Sequence, residues 1–180
     1  MWLFLYRVKN DTIMEQYDHF AYGLELTKKM KFFQEKVDKS YYQAPNSDTL
    51  ASISNRLSDI GYPVLVAIDG KDSTFSDNDA EQLIKKPQFF FMLLKPANND
   101  NPQDILDAQA ECEANCFQIQ ALMIAHRRKY QKGLTGLLSG SFTLASIGPI
   151  GDNLYGMIMG FQLEAGINYA INLDYWVTES

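Results

Sequence analysis

Positive charge stops early in this chain: after Lys132 there is no Lys or Arg through Ser180. Histidine is scarce, with only His19 and His126, and so is cysteine, with only Cys112 and Cys116. Long apolar runs are missing, and nothing approaches the roughly 18 residues of a membrane-spanning helix. A basic excess is missing as well. The formal net charge is −6 and the pI about 4.9, which argues against a dedicated nucleic-acid binder, since such proteins carry a basic stripe. The opening Met1–Trp2–Leu3–Phe4–Leu5–Tyr6 is too short for a signal-peptide core and has no basic lead-in, so it reads as part of the fold.

Each scarcity removes a class of chemistry. Cys112 and Cys116 stand four apart on one predicted helix, where side chains project in parallel, an arrangement unsuited to a disulfide. They read as reduced, buried thiols of a cytoplasmic protein. A zinc site needs two more ligands, and the two histidines are not spaced to supply them. Nothing marks His19 or His126 as a base for a nucleophile, and both read as surface or boundary residues. No paired-carboxylate motif, glycine-rich phosphate cradle or His–Glu zinc motif is present. No catalytic residue, cofactor or metal ligand is expected.

What is present is a protein-sized core. The chain has 180 residues, 46% hydrophobic and 21% charged, values of an ordinary globular domain. The centre is the run Gln88–Phe89–Phe90–Phe91–Met92–Leu93–Leu94–Lys95, which is apolar on both faces and so must be covered on both. Val64–Leu65–Val66–Ala67–Ile68 has the same character. A helix follows from Pro102 to about Tyr130, with Asn101 as cap and Pro102 at its first position. Its core stripe is Ile105, Ala108, Cys112, Cys116, Ile119, Met123 and Tyr130.

Residues 10–42 carry helical spacing, weakened at Gly23. Ser40–Ser47 reads as a linker. A short helix with Leu50, Ile53, Leu57 and Ile60 inward precedes Gly61, placed for a left-handed end, and Pro63. Gly133, Gly136 and Gly140 punctuate a loop bearing Leu134, Leu137 and Leu138. These leucines either tuck under the helix or meet another subunit. From Ser141 the period becomes two, predicting three antiparallel strands with turns at Gly148–Asn153 and Ala165–Gly166. The last is Ile167–Tyr175. The expectation is one α+β domain over residues 1–180. It has a helical N-terminal region (1–45) and a mixed, largely antiparallel sheet packed against a long helix (46–180).

Two charged clusters stand out. Asp69–Glu81 is acidic and includes Asp72, Asp77 and Asp79. A calcium loop fails there, because counting from Asp69 the sixth residue is Thr74 and the twelfth Ala80. A polar turn and a short helix capped at Asp77 or Asn78 is the expectation, with a looser divalent-cation site as the alternative. His126–Arg127–Arg128–Lys129 suits the negative end of the long helix and could also meet a phosphate or an acidic partner. The uncharged C-terminal strands lack the lysines that usually guard sheet edges. Either the N-terminal helices cover them or a neighbouring subunit does, and a subunit contact is the preferred expectation.

From about Pro63 to Leu163 the chain resembles phage tail terminator and related tail-completion proteins. The stretches that carry the likeness are Pro63–Val64–Leu65–Val66, Phe91–Met92–Leu93–Leu94, the helix with Asp107, Cys112 and Ile119, and Ile147–Gly148–Pro149–Ile150–Gly151–Asp152–Asn153–Leu154–Tyr155–Gly156 leading to Phe161. The resemblance implies a non-enzymatic α+β subunit that assembles as a homo-oligomeric ring, commonly of six, within a virion or tail-like particle. Its partners would be other tail or connector proteins, with no nucleic acid and no membrane. The clusters at Asp72, Asp77 and Asp79 and at Arg127, Arg128 and Lys129 would then be polar contacts of opposite sign. The alternatives are a monomeric adaptor domain and a metal-dependent enzyme using residues 69–81.

Overall fold

A computed structural model describes residues 16–45, 47–58, 60–77 and 83–166. Its architecture is α+β, a mixed six-stranded sheet between helices. The central hairpin explains the two apolar runs. Strands β2 (Val64–Asp77) and β3 (Leu83–Pro96) pair antiparallel from Val64↔Leu94 outward to Asp77↔Leu83. Alternate residues serve opposite faces. Leu65, Ala67, Phe91 and Leu93 enter one core cluster, whereas Val64, Val66, Ile68, Met92 and Leu94 enter the other.

Helices cover both faces. On the first face, α1 (His19–Lys29) contributes Tyr22 and Leu26, and α3 (Pro102–Arg128) contributes Ala108, Cys112, Cys116, Ile119 and Met123, all buried. On the second face, α2 (Ser47–Leu57) contributes Ile53 and Leu57, followed by Ile60. Asp18 caps α1 by accepting from Ala21 N at 2.9 Å. Asn101 caps α3 by accepting from Gln103 N at 3.1 Å, so the expected start of the long helix is met.

Strand β1 (Tyr41–Ala44) pairs parallel with β2. Strands β4 (Thr143–Ile150) and β5 (Leu154–Gln162) form an antiparallel hairpin, and β5 lies against β3. The sheet order is β1-β2-β3-β5-β4, with the two-residue β6 (Ala165–Gly166) also on β3. Met157, Met159, Phe161 and Leu163 all face the α1/α3 core, as the alternation predicts.

Several expectations give way. Of the helical reading of residues 10–42, positions 10–15 lie outside the described residues, and over the rest it survives only as α1. Met30 is extended, and single 3-10 turns follow at Lys31–Phe33 and Val37–Lys39. The supposed linker Ser40–Ser47 contains β1, because Leu65 N donates to Ser40 O and draws this segment onto the sheet. Gly61 does not take a left-handed φ. The polar turn and short helix after Asp69 are absent where described. Both sides are strand, with a register shift between Asp69 and Ser73, because Ser73–Ser76 finds a partner strand in Ile84–Pro87. The chain does not turn at Ala165–Gly166 either, since β6 continues the register of β5 along β3. The predicted strand from Ile167 lies outside the described residues.

Tyr130 is 79% exposed with φ +55. The helix has ended before it, so it is not part of the core stripe. Leu134 and Leu137 are fully buried, which places two of the three loop leucines inside the chain's own core.

Candidate interaction surface

Among the described residues the sheet ends at β1 on one side and at β4 on the other, and β5, the neighbour of β4, is not open. Along β5 every residue is buried except Ile158 and Gln162, which are half-buried. Along β4, Thr143, Ala145, Ser146, Gly148 and Pro149 are exposed, and Leu144, Ile147 and Ile150 are half-buried. No charged residue lies on β4. An edge strand offers unpaired backbone N–H and C=O groups to another chain. Pro149 removes one donor, and the register shift between Ile147 and Ile150 irregularises that end. Thr143–Ile147 is therefore the regular free stretch.

Beside this edge runs one flank of α3. Leu106 is 57% exposed and Phe117 51%. A groove of about 380 Å³ separates Leu106, Ala110 and Glu113 from Leu144, Ala145 and Ser146. The flank and the strand thus form one continuous, mostly apolar side of the molecule. The sequence flagged the strand through its missing cations. It did not flag Leu106 and Phe117, whose spacing is hidden among the core positions of the same helix.

At the far end of α3, Arg127, Arg128 and Tyr130 line a second cavity of about 490 Å³ together with Ile124, Thr135 and Ser139. Arg127 Nη1 donates to Ser139 Oγ at 3.1 Å. The backbone N–H of Lys129 donates to the carbonyls of Ala125 and His126 and so closes the helix. Of the acidic candidates, Asp72 and Asp77 lie in the outer half of β2, and Asp79 lies outside the described residues. Acidic and basic candidates therefore sit on different elements.

The buried polar groups are structural. His19, expected at the surface or boundary, is only 4% exposed. Its ring stacks on Phe91 at 4.4 Å. The Phe90 carbonyl can only accept, so the 3.0 Å contact assigns the proton to Nε2, leaving Nδ1 to accept from Tyr17 Oη at 3.0 Å. Burial lowers the His19 pKa to about 4, against smaller opposing effects of the Phe90 carbonyl and Asp69. The one hint of this burial in the sequence is its aromatic neighbours Tyr17, Phe20 and Tyr22. His126 shares a 3.0 Å hydrogen bond with Tyr22 Oη and ties α3 to α1. Cys112 and Cys116 are free and buried, and burial pushes both thiols up to about 12, far from the reactive thiolate range.

Among the described residues, no three His, Cys, Asp or Glu side chains gather as a metal site. No helix among them is long and apolar enough to cross a membrane. The chain matches no protein-family model, no curated protein and no solved structure.

Proposed function

We propose that this chain is a non-enzymatic structural subunit that assembles with copies of itself through the β4 edge and the adjoining flank of α3. The observation that carries the proposal is the uncharged stretch Thr143–Ile147, which has no strand on its outer side among the described residues. A monomer normally guards such a stretch with lysine, proline along its length, or a covering element. The exposed Leu106 and Phe117 beside it add apolar area of the kind buried at the centre of interfaces.

This reading agrees with the resemblance to tail terminator and tail-completion proteins, which cap or join a tail tube as rings. A ring requires a contact between unlike surfaces whose rotation closes. The β4 and α3 side supplies one of the two surfaces. The other partners would be tail or connector proteins, met after the ring has formed.

Light scattering across a concentration series at two salt levels tests the proposal. A discrete closed oligomer is expected, and electron microscopy of that species should show rings. A monomer at every concentration contradicts self-assembly and favours a monomeric adaptor domain.

A further inference from the structure

We infer that the basic cavity at the end of α3 binds a small phosphomonoester, with Arg127 and Arg128 on the phosphate and Tyr130 beneath a planar ring. The cavity, of about 490 Å³, is completed by Ile124, Thr135 and Ser139, and no acidic side chain lines it. Its charge runs against the trend of the chain. The net charge is −6, yet no Asp or Glu occurs between Glu113 and Asp152, a stretch that holds Arg127, Arg128, Lys129 and Lys132. Acidic side chains bordering the region are already occupied, Glu25 by Lys29 and Lys132, and Glu164 by Lys86. Among the described residues neither arginine has a carboxylate partner. The helix end by itself does not account for three consecutive cations. Its dipole amounts to roughly half a negative charge, and the chain closes the end with its own backbone, Lys129, Tyr130 and Gln131 donating to the carbonyls of Ala125, His126 and Arg127.

The wall opposite the helix is fixed in place. Leu134 and Leu137 are fully buried, Glu164 N donates to Gly136 O at 2.7 Å, and Leu138 N donates to Gln162 O at 3.1 Å. These anchors hold the loop that presents Thr135 and Ser139. Ser139 Oγ accepts from Arg127 Nη1 at 3.1 Å, which orients the half-buried guanidinium and leaves its remaining N–H donors for a ligand. Arg128 lines the same cavity from an exposed position. A phosphate group presents more acceptor oxygens than a carboxylate and can engage two guanidinium groups and nearby hydroxyls together. Tyr130 supplies the second element. It is 79% exposed at φ +55, a backbone that glycine or asparagine adopts at lower cost at a helix end. Its ring adds nothing to the core there, but beside a held phosphate it offers a face on which a planar ring can stack. Binding of this kind needs one chain only and stands apart from self-assembly.

Titration calorimetry on the full chain with inorganic phosphate, adenosine monophosphate and adenosine tests this. The nucleotide should bind more tightly than phosphate, and adenosine should give no signal. Arg128→Gln changes an exposed residue, so it should melt with wild type and weaken both phosphate-bearing probes by about tenfold. Tyr130→Ala should weaken the nucleotide by about fivefold or more and leave phosphate unchanged. Lys28→Gln/Lys31→Gln removes charge at exposed positions of the α1 region and should alter neither. The inference is overturned if wild type binds neither phosphate nor the nucleotide, or if folded Arg128→Gln binds both as wild type does. It is also overturned if the lysine variant loses as much as Arg128→Gln, because the anion then responds to overall charge alone. Equal binding of phosphate and nucleotide, or a Tyr130→Ala protein that keeps the nucleotide, overturns the assignment of a ring to Tyr130.

Discussion

Strands β4 and β5 are partners in one hairpin and are similarly rich in apolar residues, yet they live in different environments. β5 is walled by β3, β4 and the helices above it. β4 has β5 on one side and, among the described residues, no strand on the other. Strand position in the sheet, rather than composition, decides what each residue does. Apolar side chains on β5 are buried in the core, while Leu144, Ile147 and Ile150 of β4 are only half-buried against it and Ala145 is exposed. Substitutions on the two strands should therefore fail in different ways, one by unfolding and the other by disassembly.

The largest expected effect belongs to β5. Phe161 is fully buried and its ring lies 5.7 Å from both Phe89 and Phe91 and 6.0 Å from Phe142. Phe161→Ala removes a large core side chain and should cost about 3–5 kcal/mol of stability in a denaturant titration. A loss under 1 kcal/mol would mean the β5 face is not the core that its burial indicates.

Acid should separate the two strands next. His19 is held neutral in the fold with a pKa of about 4, against about 6.5 when unfolded. The unfolded chain takes up the proton first, so this contribution is complete above about pH 6.5. It is lost as pH falls from there towards 4, in total about 3 kcal/mol. Unfolding measured against pH should show that slope, and His19→Gln should flatten it. The exposed stretch of β4 has no titratable side chain, so the same pH change acts on the core and not on the edge.

A smaller effect sits at the glycines. A Cβ on Gly156 in β5 would overlap the Leu93 carbonyl oxygen and lie 3.0 Å from Cys112 Sγ, whereas one on Gly140 meets nothing within 4 Å. Gly156→Ala should cost about 1–3 kcal/mol in thermal unfolding, and Gly140→Ala should stay within about 0.5 kcal/mol.

The buried half of this comparison was legible in the sequence. Val64–Ile68 and Phe89–Leu94 are apolar at every position, which only a strand covered on both faces tolerates. Pro102, Asn101 and the Ala108–Met123 stripe likewise define α3 locally. What could not be read was set by tertiary pairing. β1 is a strand because residues 41–44 meet β2, and the outer arm of β2 is a strand because residues 83–87 run beside it. His19 reads as polar, and only the fold shows that Tyr17 and the Phe90 carbonyl satisfy both ring nitrogens. The candidate surface was half visible. The lack of cations after Lys132 pointed to an unguarded strand, but which strand lies at the edge depends on sheet order, which leaves no trace in the residues. Leu106 and Phe117 became visible only once α3 was docked.

The most direct test of the account is the solution mass of Ala145→Lys beside wild type at matched concentrations. Ala145 is exposed in the middle of the free stretch, so lysine there should change stability by no more than about 0.5 kcal/mol while guarding the edge. The account predicts that wild type forms a discrete oligomer and that Ala145→Lys, equally stable, sediments as a monomer. An Ala145→Lys protein that assembles as readily as wild type would contradict the claim that β4 is the surface through which the chain meets its own copies.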